Sequence, residues 1–258
     1  MADAASEIRA RRGDSSYRRD LAAAYRLVAH FGLDDSIFTH ISSKAGPDAE
    51  TFLINAYGLR FTEVTAENLV EVDLDGNIVN DPFGAGINAA GFLIHSAVHA
   101  ARPDVACVMH THTVAGIAVA SQVDGLLPLN QWSLQFHDRL AYHDYEGIAL
   151  LEGEKARLVA DLGTRMAMVL RNHGLLTCGR TIAQAFKLMY NLDRACRAQI
   201  AIQSSGAPIA RVPEAICKLT AEQYEMWEKD LYSGDSEWDA YLRLVEERYP
   251  DFTGTTSA

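Results

Sequence analysis

Between residues 37 and 79 three β-prone runs, IFTHIS, TFLIN and LVEVDLDGNIV, follow one another with only turn residues between them. The last is a hairpin in itself, because an Asp-Gly pair separates two apolar segments. Short strands in such close succession pair antiparallel. Helical periodicity governs much of the rest. SSYRRDLAAAYRLVAHFG sets Leu21, Tyr25, Val28 and Ala29 on one stripe, with a serine as cap and Gly32 as stop. AAGFLIHSAVHAAR is a helix ended before Pro103, VACVMHTH a strand, and TVAGIAVAS a helix. EGEKARLVADLG is a helix, AMVLRN and GLLTCG are strands, and TIAQAFKLMYNLDRACRAQIAIQ is a long amphipathic helix. One or two helices are expected in the last forty residues. Residues 122–147 have no clear period and read as a functional loop or a set of short strands. The pattern predicts an α/β domain whose largely antiparallel central sheet is covered by helices.

One domain is expected over residues 16–250, with a flexible arm at 1–15 and a frayed end at 251–258, because no linker, repeat or compositional break divides the 258 residues. A formal net charge of -11 excludes a surface built for nucleic acid or anionic lipid. No apolar run approaches the ~20 residues of a membrane span, and the first residues lack the apolar centre of a signal peptide. Cys107, Cys178, Cys196 and Cys217 form no CxxC and read as buried, reduced thiols. A cytoplasmic protein is expected.

The chemistry concentrates in VACVMHTHT (105–113). Alternation along a strand projects His110 and His112 from one side, a few ångströms apart, which suits a metal ion. An isolated pair of this kind is more often packing than ligation. A third imidazole, His173, sits in RNHGLL, where Asn172 and Gly174 force a turn and no packing argument asks for histidine. Spacing alone does not join it to the pair.

Four blocks in order, THISSK (39–44), FLINAYGLRFTEVTAENLVEVDLDGNIV (52–79), GFLIHSAVHAARPDVACVMHTHT (91–113) and VLRNHGLLTCGRTIAQAF (169–186), resemble the class II aldolase and adducin head-domain family. The resemblance spans about residues 20–205. It implies a three-layer αβα fold and a fourfold-symmetric homotetramer with active sites at subunit interfaces. It also implies one divalent metal per chain, zinc first with iron or manganese as alternatives, on the positions matching His110, His112 and His173. Ser42, Tyr57, Gly58 and Ala90 fall on substrate-binding positions.

The departures from the family pattern narrow the chemistry. The catalytic glutamate of the aldolases, four residues before His95, is Gly91 here, so the customary proton-transfer group is missing. His40 stands where phosphate-binding members carry Asn, Tyr57 where they carry Ser or Thr before a glycine, and Ala89 and Ala90 where they carry a serine pair. A phosphate dianion needs those donors, so the expected substrate is an unphosphorylated hydroxy-carbonyl or keto acid in a pocket lined by Tyr57, Phe61, Phe83 and Phe92. His40, Tyr142 and His143 are the candidates to replace the glutamate, with His137, Asp144 and Tyr145 in the same titratable segment as the last two. His95 and His99 read as packing or capping residues, and His30 as a partner of its helix C-terminus. The expected function is a metal-dependent lyase for aldol cleavage or decarboxylation of a small molecule. A non-haem iron oxygenase on the same site and a non-catalytic adducin-like scaffold are the alternatives.

Overall fold

The computed structural model describes residues 15–147, 152–226, 228 and 235–254; the expected arm lies outside them except for Ser15. Eight strands form one sheet: β1 (His40–Lys44), β2 (Phe52–Asn55), β3 (Leu69–Val72), β4 (Ile78–Asn80), β5 (Cys107–Thr111), β6 (Leu140–His143), β7 (Ala167–Leu170) and β8 (Gly174–Gly179). Their order is β4-β3-β2-β1-β5-β8-β7-β6. Every neighbouring pair is antiparallel except β6 with β7.

The helices are α1 (Ser15–His30), α2 (Ala89–Ala101), α3 (Val114–Ala120), α4 (Gln131–Leu134), α5 (Glu152–Leu162), α6 (Ile182–Ser204), α7 (Glu214–Met226) and α8 (Asp235–Arg248). Alternation along the strands divides them between two faces. Ile41, Leu53, Cys107, Met109 and Val169 pack on one side with α1, α3, α6 and α8. Val108, Met168, Leu176 and Cys178 pack on the other with Ile94 and Val98 of α2 and Leu158 and Leu162 of α5. Phe52, Ile54 and Val72 extend that second face against Phe92 of α2. The result is the expected three-layer αβα sandwich. The four cysteines are free and buried, and among the described residues no helix is long and apolar enough to cross a membrane.

In the irregular segment the short-strand alternative holds for β6, whose four residues join the sheet edge through parallel pairing with β7. Before it comes the single turn α4, capped by the Asn130 side chain. The packed body also runs past residue 250. Phe252 is buried, its carbonyl accepts from the Ala66 amide, and Asp251 pairs with Arg26 at 3.0 Å.

One buried hydroxyl joins α1 to the strands that lead to the site. Tyr25 Oη accepts from the amides of Ile41, at 2.9 Å, and Asn55, at 3.1 Å. It lies 2.5 Å from the Ile41 carbonyl and 2.8 Å from Asn55 Oδ1, either of which takes its proton. The Tyr25 and Phe61 rings meet in a T-shaped pair, with centroids 4.7 Å apart. Tyr25→Phe removes that oxygen and leaves two buried amides unpaired. The expected cost is roughly 2–4 kcal/mol, read by urea unfolding, with a loss under about 0.5 kcal/mol contradicting the account.

Candidate metal centre

The centre sits at one rim of the sheet, on the face covered by α2 and α5. In the β5–β8 pairing Thr111 lies opposite Leu175 and His110 opposite Leu176. The β7–β8 hairpin closes with Leu170 opposite Gly174, so its turn comes out beside His112. Asn172 takes the left-handed conformation, φ +55°, that carries the chain round. Gly174 is required by crowding, because a Cβ there would run into the Thr111 carbonyl and lie 3.2–3.3 Å from the rings of His112 and His110.

The three rings converge. Their centroids are 4.7 Å apart for His110–His112, 4.7 Å for His110–His173 and 4.9 Å for His112–His173. One nitrogen of each lies within 4.8 Å of the other two. His110 Nδ1 is 2.9 Å from the Leu175 carbonyl, and His112 Nδ1 is 2.9 Å from Asp35 Oδ2. A carbonyl and a carboxylate accept only, so both Nδ1 atoms carry hydrogens and both Nε2 atoms present bare lone pairs in the neutral rings. Those two Nε2 atoms are 2.9 Å apart. Two lone pairs at that distance repel unless a cation lies between them. A proton is a poor occupant, because burial, and then the neighbouring His173 and His112, push the His110 pKa well below the usual imidazole value. Burial, with His112 and His143 behind it, likewise lowers His173 to about 4. The donor set therefore fits a divalent metal: three convergent imidazoles, two of them with Nδ1 hydrogen-bonded so that Nε2 is left to ligate. Sequence reasoning missed Asp35, which lies in a turn after α1 and carries no local mark of its role.

His40 is paired with His110 across β1 and β5 and shares its face. It is buried, and neither ring nitrogen has a hydrogen-bond partner. Burial, and secondarily His112, lowers its pKa to about 4. A Cβ at position 91 would overlap the His40 ring. The imidazole thus occupies the room that any side chain at Gly91 would need, which accounts for the missing glutamate. Two residues along, Ser42 departs from the substrate-binding expectation. It is wholly buried, and its hydroxyl sits between His95 Nδ1 at 2.7 Å and His99 Nε2 at 2.8 Å, so it fastens α2 to β1 instead of facing a ligand.

The remaining candidates divide. Half-exposed Tyr57 and Gly58 follow β2 at the rim where β1 begins, and Ala90 lies in the first turn of α2. Tyr142 is corrected: its ring packs in the α1/α6 layer on the opposite face, its hydroxyl accepts from the Leu126 amide, and the Arg171 guanidinium lies 4.4 Å over it. His143 does share the metal face, as strand alternation requires, but it is buried, with Nδ1 2.7 Å from Asp161 Oδ2 and Nε2 3.9 Å from Glu154. The expected aromatic pocket also loses members. Phe61 is buried against Tyr25 and Phe92 against β2 and β3, while Phe83 is 69% exposed.

Two measurements probe this packing. Gly91→Ala is expected to cost roughly 1–3 kcal/mol, most of it recovered in the double variant with His40→Ala; strictly additive effects would mean that the two positions do not compete for space. The buried histidines also set a pH dependence. Unfolded imidazoles titrate near about 6.5, whereas burial first, and then Lys44, lowers His99 to about 3, and His40 stands at about 4. Below about 6.5 the unfolded chain takes up protons that the folded chain refuses. Stability is therefore complete above that pH and lost as the pH falls toward the folded values. The urea midpoint should drop between pH 7.5 and 5, and less so in His99→Gln; an unchanged midpoint contradicts the burial.

Residues 19–200 match the family described as Class II Aldolase and Adducin N-terminal domain. A Pseudomonas aeruginosa protein named for aldolase class 2 is 50% identical over 238 residues, 91% of each chain. Alpha-adducin of Mus musculus is 44% identical over 200 residues, which cover 76% of this chain and 27% of the adducin. The crystal structure of an aldolase II superfamily protein from Pseudomonas syringae superposes with a TM-score of 0.89 at 48% identity, over 96% of this chain and 99% of that one. With the fold, the four sequence blocks and these similarities in agreement, the chain belongs to the class II aldolase and adducin N-terminal domain family.

Proposed function

We propose that this protein is a metal-dependent lyase that cleaves or decarboxylates a small, unphosphorylated hydroxy-carbonyl or keto-acid substrate. The observation that carries the reading is the approach of two bare Nε2 atoms to 2.9 Å, which calls for a cation between them. One ion per chain is proposed at this centre, zinc first, with iron or manganese as alternatives. Such an ion would polarise the carbonyl of a chelating substrate. The chain's own residues supply the rest. Asp35 and the Leu175 carbonyl hold His112 and His110 in the ligating tautomer. His40, neutral at physiological pH, occupies the room next to Gly91 and is our choice for the group that takes and returns a proton at the carbon beside the carbonyl. Ala89 and Ala90 carry no side-chain donor at the positions where the resemblance gives phosphate-binding members a serine pair, which supports an unphosphorylated substrate.

The protein is proposed to act as a cytoplasmic homotetramer. Phe83 and Val114 are large apolar side chains left 69% and 86% exposed, as a subunit interface would use them. Four free cysteines suit a reducing compartment. The similarity to alpha-adducin favours one other reading, a non-catalytic scaffold.

Metal analysis by plasma mass spectrometry, on protein purified without added metal, separates the two. At this centre about one divalent ion per chain is expected, so His110→Ala and His173→Ala should each hold about one ion fewer than the parent, and Asp35→Ala should bind that ion about 10–100-fold more weakly. Zinc or manganese directs substrate screens to aldol cleavage and decarboxylation, and iron to oxygen uptake. Protein that takes up no metal after reconstitution turns the assignment to the scaffold.

A further inference from the structure

A second set of donors lies where α7, which follows the residues that match the family, meets the turn between α4 and β6. His137 Nε2 is 3.2 Å from Glu214 Oε1 and 3.6 Å from Asp138 Oδ2. A His137 nitrogen, a Glu214 oxygen and the Cys217 sulfur all lie within 4.8 Å of one another. Glu214 and Cys217 are three residues apart on α7 and so share a face. Asp138 has a backbone φ of +57°, a conformation that a residue with a side chain adopts at a cost.

An ion pair accounts for His137 and Glu214 but not for the thiol. Cys217 is buried, and the hydrogen bond open to its sulfur is a long one, 3.7 Å to the Val212 carbonyl. Lys218 Nζ is 3.3 Å from Glu214, on an exposed side chain free to turn outward. We propose that His137, Glu214 and Cys217 form a second site for a divalent cation of the zinc class. One imidazole, one thiolate and one carboxylate are ligands such ions take, and they come from two separate segments. On binding, the Cys217 S–H bond breaks, its proton passes to solvent, and the sulfur lone pair is donated to the cation, with no change of oxidation state. The ion would clip α7, which lies outside the family match, to the body of the domain.

Cobalt(II) titration of chelator-treated protein tests this without relying on the three-histidine centre. Cobalt on nitrogen and oxygen ligands gives no sulfur charge-transfer band, whereas a thiolate ligand gives a strong one in the near ultraviolet. The band is expected in the parent and in His110→Ala, to be lost in Cys217→Ser, and to need about tenfold more cobalt in His137→Ala. Cys217→Ser should also bind about one cobalt ion fewer per chain. No band in the parent, or one that persists in Cys217→Ser, overturns the proposal.

Discussion

Thr111 stands opposite Leu175 in the middle of the sheet, and from that register the rest of the centre follows. Pairing β5 with β8 brings the turn after β7 alongside the residues that leave β5, so three histidines from distant parts of the chain meet at one rim. The same backbone sets protonation as well as position, because the Leu175 carbonyl takes the Nδ1 hydrogen of His110. Asp35 does this for His112 from the other end of the rim. Both contacts come from the chain itself and orient the two rings, as a preorganised site requires.

His40 and Gly91 show how a change in chemistry is built sterically. One volume under α2 admits one side chain, and the β1 imidazole has it. At the position that the resemblance gives to a carboxylate, the room is filled by the His40 ring. Deeper along the same face, Ser42 spans His95 and His99, so the polar row continues from the rim into the interior and pins α2 in place.

Most of the fold was legible in the sequence because its signals are local: the Asp-Gly hairpin, the helical stripe with Gly32 at its end, the proline after α2. The metal face was legible too, since strand alternation puts His110 and His112 on one side. Strand β6 was legible only as one of two readings, a loop or short strands, because LAYH has no alternation of apolar and polar residues and its place is defined by pairing with β7. Ser42, Phe61, Phe92 and Tyr142 were assigned to the site by position along the chain, whereas the side of the sheet or the depth of burial excludes them. Asp35 and Asp161 went unseen, because a carboxylate that orients a ring through space leaves no pattern in one dimension.

The centre of this sheet is also its least local part. The β3–β4 and β7–β8 pairs are neighbours along the chain and close at little entropic cost, whereas β5 pairs only with β1 and β8, both far away in sequence. A chain that has formed only its hairpins holds His173 on one of them while His110 and His112 wait on an unpaired strand. The three nitrogens come together only when the long-range pairs close. A ligand that needs all three nitrogens would therefore meet a complete set only in molecules whose sheet is closed.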